Sequence, residues 1–193
     1  LVASVNGARR AIAAGLTDLE YVISAADAHS LANVGRTTGD SVLLVDEIAE
    51  IVHGAGGTLE VIIGTAWDCP FTGPVPIDAT VEVARQSVQR GADVLCLGDT
   101  IGTVTPRRVA DLVAAVREVA GARDVGAHFH DTRGTGIANA LAAVMTGVTS
   151  LDASVGGLGG CPFAPGASGN IATEELVYML EDCDVRTGID LDL

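Results

Sequence analysis

His128 and His130 stand one residue apart at the end of an apolar run, VGAHFHD. On a β-strand, residues i and i+2 project to the same side, so both imidazoles face one way. Two neutral imidazoles on one face suit a divalent cation. The plainer alternative is a pair of strand-end histidines held by neighbouring carbonyls. Asp131 points the opposite way and either orients a histidine or caps the helix that follows.

Residues 155–170, VGGLGGCPFAPGASGN, contain six glycines, two prolines and a cysteine. Such a stretch forms neither helix nor strand. It reads as a loop whose backbone uses positive φ close to a ligand. A flexible linker is the alternative, but the embedded Cys-Pro-Phe and the helix that follows argue against it. Thiol chemistry needs an accessible thiol on a mobile segment, and Cys161 meets that need. Asn170 ends the loop and offers a hard amide oxygen; it is either a third cation ligand or an N-cap. Glu174 opens the next helix, where a carboxylate favours the positive end of the helix dipole, and ranks second as a substrate-facing group. Asp99, in LGDTIG directly after a buried strand, is either an active-site acid or base or the acceptor of an Asx-type turn.

The elements that must hold these groups alternate in type. Strand-like runs cover residues 2–6, 19–24, 59–66, 94–97, 125–130 and 150–154. Helices fill nearly every gap: 8–14, 40–53, one starting at 78, one opened by Thr105-Pro106, 135–146 and 173–180. Repeated βα units predict a parallel α/β sheet. An open doubly wound sheet and a closed (β/α)₈ TIM barrel compete. No GxGxxG follows the first strand. Polar residues gather after several strands (Asn6, Asp68, Asp99, the histidine pair), which is the barrel habit and makes Asn6 a substrate-facing candidate. About six βα units can be counted, two short of closure, in one domain spanning residues 1–193.

Bulk properties narrow the partners. The net charge of −14 disfavours nucleic acid and supplies no broad positive field for an anionic ligand. Small aliphatic residues dominate an interior with few aromatics, as suits helices packed on a parallel sheet. The four cysteines, at 69, 96, 161 and 183, match no zinc-ribbon or CxxC spacing. A reduced, cytosolic chain is expected. Cys96 and Cys183 are expected to pack as small apolar groups and Cys69 to be accessible. No secretory leader or membrane-length apolar run is visible. Leu1 opens directly into an apolar run, so the chain reads as cut from a longer protein.

SVGGLGGCPFAPGASGN closely resembles the signature loop of the 3-hydroxy-3-methylglutaryl-CoA (HMG-CoA) lyase family. HFHDTRG resembles that family's metal-binding strand end, LGDTIG its sixth-strand motif, and ATEELVYML continues the likeness. The loop is the specific part, since HxHD and GDT recur across a wider superfamily of metal-dependent C–C lyases and synthases. Departures are peripheral: Gly156 stands where Ala is usual and Phe163 where Tyr is common, and Phe129 and Arg133 replace other residues.

The resemblance implies a TIM barrel and a divalent cation, Mg²⁺ or Mn²⁺, held by His128, His130 and Asn170. It implies Cys161 as catalytic thiol, and Asp99 and Glu174 as acidic groups around an acyl-CoA substrate. It further implies cleavage of HMG-CoA to acetyl-CoA and acetoacetate, Asp99 or a histidine taking the hydroxyl proton and Cys161 protonating the enolate. A homodimer is expected, in the cytoplasm of a bacterium or the mitochondrial matrix of a eukaryote. By this pattern Leu1 falls at the third strand, and the family's Arg-Asp-Gly, which occurs nowhere here, lies upstream. The rest of the protein or a partner is then expected to cover the open edge. The competing readings are an acetyl-CoA-dependent synthase, a 4-hydroxy-2-oxoacid aldolase, and a non-catalytic barrel fragment.

Overall fold

The structure, a computed structural model, describes residues 1–160, 166 and 168–191. In chain order the elements are α1 (Val5–Ala13), β1 (Leu19–Ser24), α2 (Asp27–Val34), α3 (Thr38–Gly54), β2 (Leu59–Gly64), β3 (Asp68–Cys69), β4 (Gly73–Pro74) and α4 (Ile77–Gln89). Then come β5 (Val94–Asp99), α5 (Pro106–Ala120), β6 (Asp124–Phe129), α6 (Gly136–Met145), β7 (Ser150–Asp152) and α7 (Thr173–Asp182).

The main sheet runs β1-β2-β5-β6-β7, and every pairing in it is parallel. Each new strand is added on the same side of the one before. A doubly wound sheet reverses direction at a switch point, so this one-way order is that of a barrel wall. Among the described residues, no pairing joins β7 back to β1. The wall is an open arc.

Alternation along the strands separates its two faces. Tyr21, Ile23, Val61, Ile63, Leu95, Leu97, Val125, Ala127 and Phe129 are all buried toward the helices. There they meet apolar stripes such as Val42, Val45, Ile48 and Val52 of α3 and Val109, Leu112, Val113 and Val116 of α5. Each full burial of such a side chain contributes about 1.5–3 kcal/mol. The opposite face carries Glu20, Val22, Glu60, Ile62, Cys96, Gly98, Gly126 and His128. It is poorer in large apolar groups and opens onto a cleft. The small residues are required: a Cβ on Gly126 would lie 2.4 Å from Ser150 Oγ.

Four expectations need correction. Residues 2–6 do not form a strand. Val2 makes a single parallel bridge to Tyr21, and α1 begins at Val5. The reason is local: Ser4 Oγ accepts the Gly7 amide at 3.1 Å, and that cap starts a helix over the apolar spacing Val5, Ala8, Ala11 and Ile12. Helix α2 went unread, although Asp27 in its first turn and left-handed Gly35 at its end are ordinary start and stop signals. The 68–76 loop contains a small antiparallel hairpin, β3–β4. Cys69 is buried in that hairpin and Cys183 is exposed just past α7, the reverse of expectation; Cys96 is buried as expected. Among the described residues, no helix is long and apolar enough to cross a membrane.

Candidate functional site

The histidine pair forms as its spacing requires. In the β5–β6–β7 register, Gly98 stands beside His128 and Asp152 beside His128 on the other flank. Cross-strand neighbours share a face, so all three look into the cleft. His130 continues past the end of β6 on the same side, with the two rings 5.2 Å apart. His128 Nδ1 lies 3.1 Å from Asp152 Oδ2. A proton donated from Nδ1 to that carboxylate leaves Nε2 with its lone pair toward the cleft, the tautomer a cation ligand needs.

Asn170 reaches the pair through backbone pairing. His130 and Asn170 form an antiparallel bridge, flanked by Asp131 N donating to Gly169 O and Ile171 N to Phe129 O. Asn170 Nδ2 donates to Leu158 O at 2.7 Å, which fixes the amide orientation. Asn170 Oδ1 and His130 Nδ1 are then both buried with no hydrogen bond of ordinary geometry among the described residues. Burial and neighbouring His128 lower the pKa of His130, outweighing the Thr100 backbone and the Asn170 amide, which raise it. Two buried polar atoms without an ordinary hydrogen bond, on residues paired across a bridge, cost free energy unless a further group meets them, and with Nδ1 unprotonated both are acceptors. Imidazole nitrogen with amide oxygen is a donor set that fits a divalent cation. Among the described residues no group of three or more His, Cys, Asp or Glu could hold a metal. The fit therefore rests on the two histidines and the asparagine.

The cleft above this face has a volume of about 810 Å³ and is lined by Glu20, Val22, His29, Asn33, Gly98, Thr100, the histidine pair, Asp152 and Gly160. His29 was not found from sequence. Its Nδ1 lies 2.7 Å from Ser24 Oγ, and burial lowers its pKa. Asp152 and Glu60 were also missed. Burial, then the Asp152 and Glu20 charges, raise the pKa of Glu60. Buried Cys96 is pushed well up by burial and the same acids, so it is an inert thiol. Helical spacing or capping could have flagged none of these. Period-two alternation marks Asp152 only once its partner strand is known.

Asp99 is not in the cleft. It pairs with Phe129 and not with His128, so it points to the helix side. Its carboxylate, 1% exposed, accepts the amides of Gly102, Thr103 and Val104. This is the Asx-type turn that the sequence left open. Beyond it, Asp68 takes both Arg108 nitrogens at 2.8 and 2.9 Å and the Thr103 hydroxyl at 2.8 Å. Burial opposes ionisation of Asp68, but these bonds outweigh it and hold its pKa below the ordinary value.

Burial raises the pKa of Asp99 to about 6, against the pull of its three amide donors. A folded-state pKa above the unfolded one means the folded chain holds a proton that the unfolded chain has lost. Stability therefore falls as pH rises from about 4 through 6. In urea unfolding at pH 4 and pH 7, Asp99→Asn should lack this loss, gaining on wild type by about 2 kcal/mol over the interval. A pH-independent difference between the two proteins would refute the assignment.

The remaining candidates are spread out. Glu174, fully exposed at the start of α7, accepts the Gly156 amide at 2.9 and 3.2 Å. It ties down the start of the glycine-rich segment and does not line the cleft. Asn6 sits exposed in the first turn of α1; the strand end that made it a candidate does not form. Asp131 accepts the Gly136 amide at 2.7 Å and caps α6, settling its two readings. Cys161 lies outside the described residues. Gly160, the residue before it, lines the cleft.

Comparison with known proteins places this geometry in a family. Residues 1–193 match the family model described as HMGL-like. The chain is 36% identical over 192 residues to the hydroxymethylglutaryl-CoA lyase of Bacillus subtilis, covering 100% of this chain and 64% of the relative. It is 42% identical over 191 residues to the (R)-citramalyl-CoA lyase of Chloroflexus aurantiacus, covering 99% and 60%. The solved structure of an HMG-CoA lyase from A. baumannii in complex with coenzyme A and 3-methylmalate matches at a TM-score of 0.92 and 39% identity, covering 98% of this chain and 62% of that one. The chain thus spans about three fifths of the length of the curated relatives it matches. The lyase structures are TIM barrels, and the five-stranded arc is part of one. By motif, fold and a family-model match over residues 1–193, the chain belongs to the HMGL-like family.

Proposed function

We propose that this chain carries the cation and acyl-CoA site of a carbon–carbon lyase that cleaves 3-hydroxyacyl-CoA esters. HMG-CoA, giving acetyl-CoA and acetoacetate, is the leading substrate. The observation that carries the reading is a pair of buried polar atoms without an ordinary hydrogen bond, His130 Nδ1 and Asn170 Oδ1, on bridged residues, of which His130 lines the cleft beside His128. His128, His130 and Asn170 would hold Mg²⁺ or Mn²⁺. When bound, the cation supplies Lewis-acid polarisation of the substrate's hydroxyl and carbonyl oxygens.

The chain's own groups do the rest. Asp152 fixes the His128 tautomer. Asp99 faces away and the lone pairs of the histidine pair are committed to the cation, so removal of the hydroxyl proton falls to His29 in the cleft. Burial keeps His29 neutral near pH 7 and so able to accept a proton. Cys161, in the place of the family's catalytic cysteine, would return a proton to the acetyl-CoA carbon. The acidic inner wall of Glu20, Glu60 and Asp152 disfavours phosphate, which keeps the nucleotide end of CoA at the mouth. A homodimer, in bacterial cytoplasm or the mitochondrial matrix, completes the reading.

The 42% identity to a citramalyl-CoA lyase favours citramalyl-CoA as the second substrate. Purified protein with Mn²⁺ should release acetyl-CoA from one of the two thioesters, read by chromatography. No acetyl-CoA from either would overturn the proposal, and the faster substrate decides between them.

A further inference from the structure

Between the β5 turn and the glycine-rich segment, one side chain is packed from below and bonded from above. Thr132 follows the histidine motif. Beneath it, Gly102 approaches so closely that a Cβ there would lie 2.6 Å from Thr132 Oγ1 and 2.7 Å from its backbone nitrogen. Arg133 N donates to Gly102 O at 3.2 Å, and Gly102 is itself held by Asp99, whose Oδ1 accepts its amide at 3.1 Å. Above it, Thr132 Oγ1 accepts the Ser168 amide at 2.9 Å.

That bond begins a short series. Ser168 is tied to Thr132, Gly169 O to Asp131 N, Asn170 to His130, and Ile171 N to Phe129 O. The last three links are backbone pairings. The first depends on a side chain, because the Thr132 backbone is packed against Gly102. It is also the link farthest from the β6 ladder, where fraying starts. Two residues along sits Asn170, with its buried, unpartnered Oδ1.

We infer that Thr132 is a positioning residue for the cation site: through the Ser168 amide it holds the 168–170 segment in register, and so holds Asn170 Oδ1 beside His130. Asp99 acts at one remove, by setting the Gly102 turn against which Thr132 is packed. The inference rests on the cation reading above.

The test is Mn²⁺ titration calorimetry on the purified protein with wild type, Thr132→Val and Thr132→Ser. Valine keeps the shape and removes the acceptor; serine keeps the acceptor. Outer partners of metal ligands are worth about 10–100-fold in affinity. Thr132→Val should therefore raise the Mn²⁺ dissociation constant about tenfold, and Thr132→Ser should restore it. A valine variant that binds as wild type does would overturn the inference while leaving the cation reading intact. A wild-type protein that binds no Mn²⁺ would overturn the cation reading itself. If the valine variant does not fold, amide exchange in the wild type decides: the Ser168 amide should be slowed relative to an unstructured peptide, and free exchange there would overturn the inference.

Discussion

Replacing His130 with alanine should cost the protein at least about a hundredfold in Mn²⁺ affinity, since loss of even an outer partner costs about 10–100-fold. The variant removes one of two buried polar atoms on residues paired by an antiparallel bridge and leaves Asn170 Oδ1 and His128 without a third donor. Fold should be spared. His130 lies past the last residue of β6, beyond the strand's hydrogen-bonded ladder. Titration calorimetry with a circular dichroism control reads both. Wild-type affinity in a folded H130A protein would remove His130 from the ligand set, and the proposed chemistry with it.

Cys161→Ser should lower kcat by about 10²–10⁴-fold, the usual contribution of a positioned proton donor. A serine hydroxyl is a far weaker acid than a thiol of pKa about 8.5. Mn²⁺ affinity and KM should hardly move, because the proposed ligands are elsewhere. That split is what separates a proton donor from a binding residue. An unchanged kcat would remove the thiol from the mechanism and leave the cation site standing.

The parts of this site that sequence made legible are those whose meaning is local. His128 and His130 needed only period-two alternation. Asn170 needed the glycine-rich run that brings the chain back. Asp99 needed more. Alternation puts Gly98 and Thr100 on one face and Asp99 on the other, but says nothing of which face is inward. That is settled by Gly98 standing beside His128 on a neighbouring strand. Asp152, His29 and Thr132 were invisible for the same reason, since each acquires its role from a residue at least five positions away. Most helices and strands were readable because long apolar stripes and short buried runs fix them. The strand at residues 2–6 failed because Ser4 could cap a helix there, and a local bond outcompeted the strand-like apolar residues around it.

The one-way strand order has a consequence for assembly. Every parallel pairing joins a strand to its nearest predecessor in the sheet, across a span of roughly 25 to 40 residues. Among the described residues, no strand pairing in the main sheet waits for a distant part of the chain. Each βα unit meets a template already in place when it leaves the ribosome, and closing each loop costs about the same entropy as the last. Growth of this kind is vectorial: β1 and β2 can dock while the histidine motif is still being made. The proposed cation site, built from β6, β7 and the 168–170 segment, then forms after these first strands have docked.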